Sequence, residues 1–348
     1  MQPSLETSER RRARRALWVL SALLVAAFVV SFALGRYAVS VKEVLTVLGD
    51  SFLSLFGKEP SPVVEANVRT VVMNIRLPRI LTACAVGAAL SAAGATFQSV
   101  FRNPMASPDI LGASGGACFG AALAILLNMP KAGVTGFAFV ASLASVALVY
   151  LIGTAARGNR LLTIILAGIM VNSLFSAGTS YIKLVADPNN QLPAITYWMM
   201  GSLSGVRKSD LLFALLPMAL GLIPLVLLMW RVNYLTLPED EARTMGIRTE
   251  RLRLVTVLSA TLLIAASVSV SGMIGWVGLV VPHLSRKLAG NDFRGLLPVS
   301  CVFGALFLLI TDDISRNLLT TEIPIGILTA FIGAPFFLYL MTRKEDGR

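Results

Sequence analysis

The sequence predicts an all-α integral membrane protein with about ten transmembrane helices. Of its 348 residues, 55% are apolar and 14% are charged, whereas a soluble domain carries roughly 25% charged residues. The mean hydropathy is +0.75, and the apolar residues lie in long uninterrupted runs of the kind that span a bilayer. We therefore expect residues 1–348 to form a single transmembrane domain.

The apolar runs divide into ten segments, separated by Pro, Gly or charged residues. The first run follows a basic cluster from Arg10 to Arg15. Because it is about 20 residues long, it can span the bilayer and exceeds the apolar core of a secretory leader, so we expect a retained first helix. The ten predicted segments are residues 16–35, 79–98, 109–128, 133–154, 160–183, 209–230, 252–271, 274–289, 296–312 and 324–342.

Lysine and arginine are distributed unevenly between the loops. If the N-terminus is cytoplasmic, 19 of the 30 Lys and Arg residues lie on the inner side. Cytoplasmic loops of membrane proteins collect these residues, so both termini are predicted to be cytoplasmic, with residues 1–15 as a basic N-terminal segment. The same bias accounts for the net charge of +11, and no nucleic-acid partner is expected.

Two loops carry helix signals. In the outer loop, residues 36–78, Ser40 and Glu43 form a capping-box pattern that predicts a short amphipathic helix. In the inner loop, residues 231–251, a proline is followed by acidic residues and then by Gly246, which is the order of a short capped helix. Such a helix could dock a cytoplasmic partner or be a plain surface helix, and the residues alone leave both open.

The fifth apolar segment carries small and polar side chains at steps of three or four residues. They are Gly168, Asn172, Ser176, Thr179 and Lys183. One face of this helix could line a water-filled pathway, or its small polar groups could form hydrogen bonds between helices. The spacing is compatible with both interpretations.

Catalytic chemistry has little support in the sequence. Residues 112–116 match the pattern G-x-S-x-G, but that motif requires a preceding strand and a histidine partner, and the only histidine is His283, in another apolar segment. Cys84, Cys118 and Cys301 lie in apolar runs and lack the spacing of metal ligands. No phosphate-binding loop occurs, so ATP and magnesium would be bound by another chain. We expect neither an enzyme nor a resident cofactor or metal.

Ion-coupled transport is also disfavoured. Secondary transporters place ionisable residues within their spans, whereas the 19 Asp and Glu residues here fall in loops or near segment ends. Asp109, Asp312 and Asp313 come closest to a span. We expect an ATP-driven permease. The alternatives are a secondary transporter or channel for a small solute and a membrane-embedded enzyme.

Several short motifs occur in order between the predicted spans. They are Arg76-Leu77-Pro78-Arg79, Phe101-Arg102-Asn103-Pro104-Met105-Ala106, Trp198-Met199-Met200-Gly201-Ser202-Leu203, Gly275-Trp276-Val277-Gly278-Leu279-Val280-Val281-Pro282-His283, Glu322-Ile323-Pro324-Ile325-Gly326 and Gly333-Ala334-Pro335-Phe336-Phe337. Together they resemble the permease family of type II ABC importers for iron-siderophores, haem and cobalamin.

This resemblance implies a ten-helix protomer in the bacterial inner membrane that forms a homodimer around a central pathway. Two ATPase subunits would dock on the cytoplasmic side and a periplasmic binding protein on the outer side. The cargo would be an iron complex, either a ferric siderophore or haem, or cobalamin. In the family the fifth helix lines the pathway, which assigns that role to Gly168, Asn172, Ser176 and Thr179.

The resemblance also implies two sets of partner contacts. The ATPase coupling residues within loop 231–251 would be Asp240, Glu241, Ala242, Arg243, Met245 and Gly246. The arginines that dock acidic residues of the binding protein would be Arg76, Arg79 and Arg316. The alternative for these arginines is that they reach the lipid headgroups.

Overall fold

The computed structural model describes residues 3–35, 37, 39–54, 65–155, 160–236 and 249–342, and every regular element in these ranges is helical. The α-helices are α1 (Pro3–Ala33), α2 (Val41–Ser54), α3 (Ala66–Thr70), α4 (Leu77–Val100), α5 (Ala113–Leu126), α6 (Lys131–Ala155), α7 (Arg160–Val185), α8 (Gln191–Met199), α9 (Lys208–Val232), α10 (Thr249–Ser271), α11 (Val277–Ala289), α12 (Phe293–Asn317) and α13 (Ile325–Thr342). A π-helical stretch, Val71–Arg76, joins α3 to α4, and 3₁₀ turns occupy Pro108–Leu111 and Asn233–Thr236.

Each of the ten predicted apolar segments coincides with a helix, which confirms the predicted fold class. Within the described ranges, seven helical stretches are long and apolar enough to cross a membrane. The other three, α5, α11 and α13, have 14, 13 and 18 residues. At 1.5 Å per residue, α5 and α11 each reach about 20 Å, well short of the ~30 Å hydrocarbon core of a bilayer.

Helix α4 lies at the centre of the bundle and packs against α10, α11 and α12. Its glycines allow very close approach of neighbouring backbones. A Cβ atom added to Gly87 would lie 2.2 Å from the carbonyl oxygen of Gly304, and one added to Gly94 would lie 1.8 Å from that of Gly278. Because lipid offers no hydrophobic drive for helix association, such close packing is what holds membrane helices together.

The predicted amphipathic helix after the first span is confirmed as α2. The Ser40 amide donates to Glu43 Oε2 at 2.8 Å, and the Glu43 amide donates to Ser40 Oγ at 3.3 Å, which is a capping box. Hydrogen bonds from Ser40 hold the pKa of Glu43 below its usual value. Val44 and Val47 are buried on the inner face of the helix, so α2 lies against the bundle.

The stretch between α7 and α9 contains a helix, α8, that the sequence analysis did not predict. A turn follows it, in which the Ser202 amide donates to the Ser271 carbonyl at 2.7 Å. The Ile325 amide donates to the Gly201 carbonyl at 2.9 Å. These hydrogen bonds join the turn to the end of α10 and to the start of α13.

Candidate functional site

The two short helices α5 and α11 begin next to each other inside the bundle. Helix α5 follows the 3₁₀ turn Pro108–Leu111, and α11 follows Trp276. A Cβ atom added to Gly278, the second residue of α11, would lie 2.3 Å from Pro108 Cγ. Helix N-termini carry partial positive charge, and discontinuous helices that meet near the bilayer midplane form the substrate sites of many transporters.

The depth of this junction can be judged from α7, which is long enough to span the membrane. A Cβ atom added to Gly168 would lie 1.9 Å from the carbonyl oxygen of Ile110, and one added to Gly112 would lie 3.5 Å from the backbone nitrogen of Asn172. Gly168 and Asn172 lie in the middle third of α7. The 3₁₀ turn and the start of α5 are therefore at mid-depth in the bundle.

A cavity of about 690 Å³ lies beside the junction, and we call it the pathway cavity. Methionine and aromatic side chains dominate its lining. Asp109 is the only charged residue among its described lining residues, and its carboxylate accepts a hydrogen bond from the Ser114 hydroxyl. The side chains that define its character are Asp109, Met199, Met200, Met273, Trp276 and Phe331.

Trp276 lines this cavity, and its backbone has an unusual conformation. Its φ is +68°, a value that is uncommon for a bulky residue and signals local strain. The indole ring lies on the backbone of α13, since a Cβ atom added to Gly333 would be 2.5 Å from Trp276 Cγ. The Gly275-Trp276 and Gly333-Ala334-Pro335 motifs, which are more than fifty residues apart in the sequence, therefore meet in space.

The predicted pathway residues of α7 divide into two groups. Gly168 packs on the 3₁₀ turn, and Thr179 is 4% exposed with its hydroxyl donating to the Phe175 carbonyl at 2.8 Å. Asn172 and Ser176 are exposed in the protomer. Packing thus accounts for the first two residues, and lining the pathway stays a prediction for Asn172 and Ser176.

Thiol labelling can distinguish these positions. In a variant whose three native cysteines are replaced by alanine, we expect Ser176→Cys to react with a water-soluble maleimide about tenfold faster than Thr179→Cys, because only the first thiol is accessible. The rates would be measured in proteoliposomes by mass shift. Equal protection of both thiols would mean that this face of α7 is covered by lipid or protein.

The arginines of the Arg76-Leu77-Pro78-Arg79 motif lie inside the protomer. Arg79 is 7% exposed, and its guanidinium group forms hydrogen bonds with two carboxylates. Its Nη2 lies 2.9 Å from Asp312 Oδ1, and its Nη1 lies 3.0 Å from Glu322 Oε1. Asp312 has no exposed surface and lies five residues before the end of α12 at Asn317, so it is near the end of the span, as the sequence predicts.

The other two predicted docking arginines are also internal. Arg76 is 4% exposed and donates to the carbonyl oxygens of Phe32 and Tyr37. Arg316 is 6% exposed, donates to the Ser31 carbonyl at 3.0 Å and pairs with Asp313. We call these three arginines together with Asp312, Asp313 and Glu322 the outer ion network.

The outer ion network corrects the prediction that these arginines project from the surface. Three carboxylates match their positive charge: Asp312 and Asp313 lie within four residues of Arg316, whereas Asp312 and Glu322 are more than two hundred residues from Arg79. A cavity of about 620 Å³ nonetheless reaches Arg79 from outside, and Arg207 and Lys208 line its mouth. Both are exposed, and within the described part of the chain neither has an ion-pair partner.

The predicted coupling residues, Asp240 to Gly246, lie outside the described residues. The 3₁₀ turn Asn233–Thr236, on the N-terminal side of them, is hydrogen-bonded to the start of α12. The Asn233 side chain accepts a hydrogen bond from the Phe293 backbone amide at 2.8 Å and donates one to Asp292 Oδ1 at 2.7 Å. Burial raises the pKa of Asp292, but hydrogen bonds from Arg294 and Asn233 outweigh it and hold the pKa below its usual value.

Comparison with known proteins agrees with these features. The chain is 39% identical to the molybdate import system permease protein of Haemophilus influenzae over 95% of this chain and 96% of the relative. It is 39% identical to the hemin transport system permease protein of Yersinia pestis over 79% of this chain and 84% of the relative. A solved structure described as an inward-facing conformation of a metal-chelate type ABC transporter superposes with a TM-score of 0.83, at 39% identity, over 94% of this chain and 99% of that one.

A multi-pass helical bundle with a mid-depth cavity is the arrangement expected of a membrane transport protein. The model of the FecCD transport family matches residues 23–343, and the chain belongs to this family. It is therefore the permease of an ABC importer, as the motifs in the sequence predicted.

Proposed function

We propose that this permease moves an iron complex, either a ferric siderophore or haem, or cobalamin, from the periplasmic side into the cytoplasm. The observation that carries the proposal is the chemistry of the pathway cavity. Thioether and aromatic side chains suit large, mainly apolar chelates, because methionine adapts to irregular surfaces. The described lining offers no basic side chain to a small oxyanion, and transferring an unpaired ion from water to apolar surroundings is costly, so molybdate, the cargo named for one relative, is disfavoured here.

The working assembly we propose is a homodimer in the bacterial inner membrane, with two ATPase subunits inside and a periplasmic binding protein outside. ATP and magnesium belong to the ATPase subunits, and this chain holds no cofactor. Support comes from Asn172 and Ser176 of α7, which are polar and exposed in the protomer, since polar side chains within a span avoid lipid. Around a dimer axis this face would meet the pathway or the second copy instead of lipid.

Reconstituted uptake tests the importer assignment. Proteoliposomes that contain the permease and its ATPase should accumulate the chelate only with ATP and the binding protein. A Gly246→Trp substitution at the proposed coupling position should lower both ATPase association and uptake at least tenfold, because a bulky side chain would block close approach. The matched control is Gly136→Trp, at a position where an added Cβ meets nothing within 4 Å.

One result would contradict the importer assignment, and two others would overturn the proposed coupling contact or the cargo class. Uptake driven by a proton gradient in the absence of the ATPase would indicate a secondary transporter. Preserved ATPase association and preserved uptake in Gly246→Trp would show that the coupling contact lies elsewhere. Faster uptake of molybdate than of any chelate would overturn the cargo class while leaving the importer assignment intact.

Docking of the binding protein is proposed at the outer cavity lined by Arg79, Arg207 and Lys208. Exposed cations at a rim act mainly on association rate, and salt screens them. We expect a variant with Arg207→Glu and Lys208→Glu to associate with the binding protein about tenfold more slowly at low salt, with a flatter salt dependence. Surface plasmon resonance would measure the rates. Lys42→Glu, on the exposed face of α2, is the control, and an equal effect there would contradict docking at this cavity.

A further inference from the structure

Helix α1 is the most peripheral of the seven stretches that can cross a membrane. Only 17% of the residues in its most apolar window are buried, the smallest share among the seven, whereas the share for the stretch that contains α4 is 78%. The buried side of α1 packs on α11 and α12, where Ala13, Leu20 and Val299 belong to one apolar cluster. The opposite side of α1 is therefore open to lipid in the protomer.

Three arginines and a tryptophan lie on this open side of α1. They are Arg11, Arg14, Arg15 and Trp18. Because they are three or four residues apart, they share one face of the helix. All four are exposed, and the exposed fraction of Trp18 is 69%. Val25 and Val29, which are 64% and 43% exposed, continue the same stripe toward the other end of the helix. We call the three arginines and Trp18 the basic face of α1.

Aromatic residues indicate the depth of the basic face in the membrane. Trp18 lies at the start of the apolar run, and Tyr37, which is 45% exposed, lies just beyond its other end. Trp and Tyr are enriched at the two membrane–water interfaces. At 1.5 Å per residue, Arg14 and Arg15 lie about 4.5–6 Å from Trp18 along the helix axis, which is within the roughly 5–8 Å headgroup layer on each side of the hydrocarbon core. The Lys and Arg bias assigns this end of α1 to the cytoplasmic side.

Arg12 differs from its neighbours in this cluster. Its guanidinium group donates to the carbonyl oxygen of Lys287 in the last turn of α11, so it contacts the protomer itself. Within the described residues, the side chains of Arg11, Arg14 and Arg15 have neither a hydrogen-bond nor an ion-pair partner. Three cationic side chains thus lie at the depth of the lipid phosphates, on the side of α1 that is open to lipid.

We propose that the basic face of α1 binds anionic phospholipids of the cytoplasmic leaflet. The planar guanidinium group matches phosphate oxygens, and each basic side chain near an anionic membrane surface adds to the attraction. Zwitterionic lipids also carry a phosphate, but their ammonium group cancels its charge, so the face selects headgroups of net negative charge. Trp18 and the apolar stripe continue this face into the hydrocarbon, which favours lipid over a soluble partner. The proposal does not depend on the cargo.

Fluorescence of Trp18 provides a local test in the full chain. The unmodified protein and a Trp18→Phe variant would be placed in nanodiscs with equal amounts of phosphatidylglycerol and phosphatidylcholine, and the acyl chains of one lipid at a time would carry bromine as a quencher. The difference between the two proteins gives the quenching of Trp18 alone. We expect the two brominated lipids to report an enrichment of phosphatidylglycerol around Trp18 of at least about threefold, which should decrease in about 0.5 M salt because salt screens exposed charges.

Variants of the arginines test the cause of this enrichment. The triple variant with Arg11→Gln, Arg14→Gln and Arg15→Gln should abolish it. Arg12→Gln removes a charge from the same helical turn on the side that contacts α11, and should change the enrichment less than about twofold. Thermal unfolding would verify that each variant is folded.

Three outcomes would overturn the proposal. Equal quenching of Trp18 by the two lipids in the unmodified chain would show that the face does not select anionic lipid. Enrichment that persists in the triple variant would show that the three arginines do not cause it, and simultaneous loss of ATPase association would assign the face to that subunit. Absence of quenching by either lipid would show that a second copy of the chain covers the face.

Discussion

Replacing Arg79 by methionine is expected to lower the free energy of unfolding by about 3–5 kcal/mol, because removing one partner of a buried ion pair leaves the other charge uncompensated. Asp312 has no exposed surface and pairs with Arg79 at 2.9 Å. It cannot regain water without separating α4 from α12. The loss would be measured as a decrease in the melting temperature of the detergent-solubilised protein, followed by circular dichroism.

Two matched variants show whether burial causes the loss. Arg69→Met removes a pair with Asp50 of similar length, 2.8 Å, but the Arg69 side chain is 30% exposed, so the expected cost is about 1 kcal/mol or less. The double variant Arg79→Met with Asp312→Leu removes both buried charges and should recover most of the stability. If Arg79→Met were no worse than Arg69→Met, the outer ion network would not be a source of stability.

Gly94→Ala should destabilise the bundle by about 1–3 kcal/mol or more, because the added methyl group has no space to occupy. Its Cβ would lie 1.8 Å from the carbonyl oxygen of Gly278 and 2.6 Å from the carbonyl carbon. A backbone group cannot rotate away as a long side chain can. Helices α4 and α11 would have to move apart, which also shifts the junction beside the pathway cavity.

The control for this substitution is Gly136→Ala in α6. An added Cβ at Gly136 meets nothing within 4 Å, and replacing an unstrained glycine by alanine stabilises a helix by about 0.4–1 kcal/mol. Melting temperatures of the two variants, together with the uptake rate, would be compared under the same detergent conditions. A Gly94→Ala protein as stable and as active as Gly136→Ala would mean that α4 and α11 do not touch in the membrane.

The helical segments could be predicted from the sequence because long apolar runs have few alternatives to a membrane span. The capping box at Ser40 and Glu43 is equally local, since all of its partners lie within four residues. The family could be inferred because its motifs occur in order along the chain. Each of these features depends on residue type and near neighbours in the sequence.

The site itself depends on contacts that no local pattern encodes. Asp312 and Glu322 lie more than two hundred residues from Arg79, so no local pattern showed that Arg79 is paired inside the protomer. Asp109 was placed at the boundary of a predicted span, residues 109–128, whereas the 3₁₀ turn carries it to mid-depth in the bundle. The short length of α5 and α11 was missed because the residues just before each helix, such as Ile110, Leu111, Met273 and Ile274, are mostly apolar and extend the run.

The contacts of α1 have a consequence for the order in which the membrane protein is assembled. The outer end of α1 is held by Arg316, which donates to the Ser31 carbonyl at 3.0 Å across a separation of 285 residues. During synthesis α1 leaves the ribosome before α12, against which it mainly packs, and only its contact with Arg76 is close in the sequence. Nascent chains that end before α12 should therefore insert α1 into lipid without docking it on its main partner, and completion of the bundle must wait for α12.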